Sequence, residues 1–144
     1  MAEAVAQRWL DEGELGRRVL AASAGVAAGT GMPPSIEVER ALEAVGITVD
    51  GRSKPLTAEM IRAARVLFVM TPEHAAAARD LVAGEPEQLG KIHLLDPATP
   101  ITDPIGQGQA AYDELLERFR TLIPRRLREV FADEDRAGIG SSRN

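Results

Sequence analysis

Val66-Leu67-Phe68-Val69-Met70, followed at once by Thr71-Pro72-Glu73-His74, decides the fold class. A continuous apolar run reads as a strand covered on both faces, because a strand with one wet face would alternate. Thr71 then supplies an N-cap side chain and Pro72 a first-turn proline, so a buried strand passes straight into a helix. Strand, tight junction and helix in that order are the repeating unit of a parallel α/β sheet.

Downstream, Ile92-His93-Leu94-Leu95 reads as the next strand, and Tyr112, Leu115, Leu116, Phe119 and Ile123 line a final helix. Pro124 should kink or split that helix, with Leu127, Val130 and Phe131 forming its second piece. Upstream, Ala2, Val5, Ala6, Trp9 and Leu10 fall on one helical face, which Gly13 and Gly16 end. Val19-Leu20-Ala21-Ala22 reads as a short buried strand before a Gly-rich loop from Gly25 to Met32. Pro34-Ser35 opens a helix with Val38, Ala41, Leu42 and Val45 on its stripe and Gly46 as its stop. Leu56, Thr57 and Ile61 fit a capped and stapled helix running to about Arg65.

The expected architecture is three-layer α/β, a short parallel sheet with helices on both faces. Residues 1–131 make one domain, and residues 132–144, polar and without periodicity, read as a disordered tail.

Composition narrows the function. With 144 residues, 44% hydrophobic, the chain holds one domain with a modest core. A net charge of -5, with basic residues dispersed, argues against a nucleic-acid partner. No apolar run approaches the roughly 20 residues that span a bilayer, so no membrane partner is expected and the cytoplasm is the default location. Zero cysteine excludes disulfides, thiolate metal sites and a cysteine nucleophile within these residues. Two isolated His residues make a poor zinc site, and neither a metal nor a cofactor is expected.

Met1-Ala2-Glu3-Ala4, Gly31-Met32-Pro33-Pro34-Ser35, Arg52-Ser53-Lys54-Pro55-Leu56-Thr57, Val69-Met70-Thr71-Pro72, Lys91-Ile92-His93-Leu94-Leu95 and Asp103-Pro104-Ile105-Gly106 occur in an order that resembles the low-molecular-weight protein tyrosine phosphatases of bacterial type. In that family an inner strand leads into a phosphate-binding loop with a Cys nucleophile and an Arg, and the helix after the loop resembles the one beginning at Met1. The first strand and the loop are therefore missing from this chain. An inner strand removed leaves buried backbone groups unpaired at about 1–3 kcal/mol each. Either the Val19 to Ala22 strand slides across to pair with Val66 to Met70, or an upstream segment fills the gap; the second is favoured, with the natural polypeptide expected to extend upstream of Met1 and to carry strand, Cys and Arg.

Asp103 is the family catalytic residue that carries over, as general acid to the leaving oxygen. The plainer reading is a turn, since Asp and Pro both form turns, and Asp96-Pro97 shows how common the dipeptide is. The collinear order favours the catalytic reading. Where the family often has a His before Arg-Ser, either Gly51 replaces it or the loop is one residue shorter, so the resemblance does not carry over what that His gives the pocket. His74 is read as structural, Trp9 as core, Pro124-Arg125-Arg126 as a solvated helix end, and Gly25 to Gly31 as no phosphate loop.

The family reaction is dephosphorylation of phosphotyrosine or phosphoarginine through a cysteinyl-phosphate. Thioredoxin-coupled arsenate reduction is disfavoured, because it needs further cysteines. Ile105 and Gly106 after Asp-Pro offer no aromatic wall for a phosphotyrosine ring. The chain by itself is expected to be inactive, its partner being a phosphorylated protein or small phosphoester once the loop is supplied. Apolar faces left by the absent strand favour self-association. The alternatives are a non-catalytic phosphatase-like binding or regulatory module, and a phosphatase fused behind another enzymatic domain such as a tRNA-threonylcarbamoyladenylate-forming module.

Overall fold

The computed structural model describes residues 1–13, 18–25, 35–48 and 54–142, the last ten of them as backbone. Its elements in chain order are α1 (Ala2–Glu12), α2 (Ile36–Ala44), α3 (Ala58–Ala63), β1 (Leu67–Val69), α4 (Pro72–Leu81), α5 (Pro86–Leu89), β2 (Ile92–Leu94) and α6 (Gln109–Ser142). The cap residues act as their types dictate. Ser35 accepts from Val38 N–H, Thr57 from Met60 N–H and Thr71 from His74 N–H. Gly46, at φ 79°, takes the left-handed conformation that closes α2.

β1 and β2 pair in parallel with Leu67 opposite Ile92 and Val69 opposite Leu94. Side chains alternate across the pair, and the two faces fill different cores. Leu67, Val69 and Ile92 pack with Ile61, Ala75, Ala78 and Val82 from α3 and α4. Phe68 and Met70 pack with Val5, Leu10, Leu42, Phe119 and Ile123, so α1, α2 and α6 cover the other face. Helices on both faces of a short parallel sheet are what the Val66 to Met70 run requires.

The ladder has a direction. Leu67 N–H donates to Lys91 O at 2.9 Å and Leu95 N–H donates to Val69 O at 2.8 Å. Leu67 and Val69 therefore serve β2, and the amide and carbonyl of Phe68 point to the opposite edge of β1. Among the described residues the sheet has two strands, and none lies along that edge.

Four expectations need correction or extension. Residues 19–22 are not a strand: Leu20 is 85% exposed, and Ala21 gives its N–H to the Gln7 side chain at 2.9 Å. Without a neighbouring strand no ladder forms there, and the first backbone–backbone pairing of this segment is at Gly25, which donates to Lys54 O and accepts from Leu56 N–H. Helix α3 stops at Ala63, because Ala64 is already extended (φ -77°, ψ 151°) on the way into β1. Pro124 neither splits nor ends α6. Buried Leu122, Ile123, Leu127 and Phe131 grip the helix on both sides of the missing bond. The backbone of residues 132–142, read from sequence as a disordered tail, continues α6 as helix. Extending an existing helix needs no new nucleus, so a polar stretch without proline can follow the packed part.

Candidate functional site

The site candidate is the loop between β2 and α6, at the carboxyl ends of both strands, where open α/β sheets place their ligands. Three ties shape it. At its start, Asp96 Oδ1 accepts from Ala98 N–H at 2.9 Å and Thr99 N–H at 3.3 Å. In its middle, Ile101, buried, donates its N–H to Met70 O at 2.9 Å, pinning the loop to the end of β1. Beyond that, Asp103 Oδ1 accepts from Ile105 N–H at 3.1 Å over a buried Pro104, and Gln107 N–H closes the turn on Pro104 O at 2.9 Å. Gly106 and Gly108, at φ 78° and 92°, make the bends that lead into α6.

Asp103 is exposed, and its Oδ2 has no bond to the protein among the described residues. Its carboxylate is thus oriented through one oxygen and open through the other, an arrangement able to hold or transfer a proton. Ile105 beside it is 76% exposed and aliphatic.

Asp96-Pro97, the second Asp-Pro pair, serves a different purpose. Arg118 Nη2 donates to Asp96 Oδ2 at 2.7 Å and to Thr99 O at 3.0 Å. The Arg118 hydrogen bond first, and the Ala98 N–H second, hold the Asp96 carboxyl below the usual range. A depressed folded-state pKa gives stability that is present above the unfolded value of about 3.9 and lost as pH falls through the folded one. Asp96→Asn is therefore expected to lower the urea midpoint at pH 7, with wild-type and variant curves converging below about pH 4. Parallel curves would contradict this. Glu85, held down by the Arg62 hydrogen bond, adds a decline of the same sign to both proteins.

Other sequence candidates find plainer places. Trp9 lies half-buried in the α1 stripe with the Arg128 guanidinium 5.5 Å from its ring centroid. His74 contributes the backbone N–H that Thr71 caps. Arg52, Ser53 and most of the Gly25 to Gly31 stretch lie outside the described residues. Arg126, read as part of a solvated helix end, is instead packed: it stacks over Phe68 at 5.3 Å and donates to Leu94 O at 3.2 Å.

Sequence reasoning missed Arg118 and Arg126. The available signal was their spacing of i and i+8 beside the apolar stripe of α6, where a guanidinium reaches the sheet or its loops.

A three-layer α/β body with an Asp-Pro loop at the strand ends agrees with the comparisons. The sequence model of the low molecular weight phosphotyrosine protein phosphatases matches residues 1–136, and the chain belongs to that family. Among solved structures it is similar to a low molecular weight protein tyrosine phosphatase from T. tengcongensis, at 29% identity over 89% of this chain and 88% of that one, with a TM-score of 0.76. It is similar also to the YwlE arginine phosphatase from Geobacillus stearothermophilus, at 26% identity over 92% and 84%, TM-score 0.78. Vibrio vulnificus Wzb, solved in complex with benzylphosphonate, shares the fold at 21% identity over 89% and 87%, TM-score 0.76. No match is found among curated proteins.

Proposed function

We propose that this chain is the body of a bacterial-type phosphatase that presents Asp103 as general acid and takes its nucleophile from outside these 144 residues. The observation that carries this reading is the pairing of zero cysteine with a β1 edge at Phe68 that has no strand beside it among the described residues. In the family reaction a thiolate attacks phosphorus and the bond to the leaving atom breaks, an oxygen in a phosphoester or a guanidine nitrogen in phosphoarginine. The Asp103 carboxyl gives that atom its proton, and the resulting carboxylate then takes a proton from the water that hydrolyses the cysteinyl-phosphate.

Substrates of this reading are phosphotyrosine or phosphoarginine in a protein, or a small phosphoester. The exposed aliphatic Ile105 next to Asp103 supports leaving groups that need no aromatic sandwich. A cytoplasmic setting belongs to the same proposal. The test is an assay of the 144-residue chain alone on p-nitrophenyl phosphate, expected at background. Clear turnover by the chain alone would contradict the proposal, because no residue type here can form the thiol ester of phosphate.

A further inference from the structure

We propose that Arg118 is a positioning residue for the Asp103 loop, holding it from α6 in the shape that presents the Asp103 carboxylate. The inference rests on Asp103 as the acid, and it adds the residue that keeps the acid in place.

One nitrogen carries the clamp. Arg118 Nη2 bonds the Asp96 carboxylate at 2.7 Å and the Thr99 carbonyl at 3.0 Å, joining both ends of the Asp96-Pro97-Ala98-Thr99 turn to the helix. Asp96 in turn holds the Ala98 and Thr99 amides. The next fixed point is the Ile101 N–H on Met70 O, and Asp103 follows two residues later. Side-chain exposures of 34% for Arg118 and 17% for Asp96 mark a partly desolvated, charge-assisted pair, stronger than one in open solvent.

The Arg62–Glu85 pair is a built-in control. It is also a guanidinium–carboxylate pair, here bidentate at 2.9 and 3.0 Å, and joins the end of α3 to the start of α5, ahead of the strands rather than beyond them. At 48% and 35% exposure it ties no residue of the Asp103 loop.

The experiment is amide NMR on the whole 144-residue chain with Arg118→Gln, Arg118→Lys and Arg62→Gln. In Arg118→Gln the Ile105 amide resonance should move and the Ile101 amide should exchange about tenfold faster, the equilibrium equivalent of one charge-assisted hydrogen bond. Leu67, bonded in the ladder, should keep its protection. Because a single nitrogen makes both bonds, Arg118→Lys should return the Ile105 resonance toward its wild-type position. Arg62→Gln should leave it unmoved.

An unmoved Ile105 in Arg118→Gln, no rescue by lysine, or loss of Leu67 protection along with Ile101 would each overturn the clamp. The Asp103 reading fails separately. If Asp103→Asn leaves turnover unchanged in a nucleophile-bearing version while Arg118→Gln still moves Ile105, the clamp stands and the acid assignment falls.

Discussion

Joining an apolar strand followed by a Cys- and Arg-bearing phosphate loop to this chain is expected to raise hydrolysis of p-nitrophenyl phosphate at least about 10³-fold above background. As a general acid Asp103 would only assist a reaction whose nucleophile and oxyanion donors exist, so on the proposed reading the chain alone has an acid with nothing to protonate. A covalent linker is the preferred delivery, because it holds the segment at an effective concentration near millimolar, whereas a free peptide must also overcome the entropy of ordering. The Phe68 edge would give the segment its place, with main-chain hydrogen bonds setting its register and its apolar side chains meeting the two cores. A linked segment that folds onto the chain and still yields no turnover would contradict the assignment.

In that completed protein, Asp103→Asn is expected to lower kcat by about 10² to 10⁴. The loss should grow with the basicity of the leaving oxygen, so phenyl phosphate suffers more than p-nitrophenyl phosphate, whose phenolate departs without much help. Asn preserves the turn, because its side-chain oxygen can still accept from the Ile105 amide as Asp103 Oδ1 does. The change therefore removes the proton and keeps the geometry. Equal losses on both substrates would point to a disturbed loop rather than a missing acid, and no loss on either would remove Asp103 from the mechanism.

Much of the fold could be read from local chemistry. Ser35 and Gly46 bracket α2 as their types require, and the Thr71-Pro72 junction starts α4 where the apolar run of β1 ends. These signals lie within a few residues of the structure they specify. The misreadings share the opposite property. Whether Val19 to Ala22 forms a strand depends on a neighbour in the sheet, and the described residues supply none. Pro124 was read by its local effect, yet α6 is held by packing on both sides of it. Arg118 reaches Asp96 across 22 positions and Arg126 reaches Leu94 across 32, so nothing in their own surroundings names the partner. The order of motifs singles out Asp103 as a candidate, and the structure places it, exposed, in the loop beyond the strand ends. The open carboxylate oxygen and the Arg118 clamp came only from the structure.

On the proposed reading the edge of β1 that has no strand beside it among the described residues takes one from outside this chain, and the Phe68 amide reports on it most directly. Hydrogen exchange at Phe68 should be fast in the 144-residue chain and slow once the strand and Cys loop are joined to it, with Leu67 protected in both. A Phe68 amide already protected in the chain alone, or one that stays fast when the segment is present, would contradict the account.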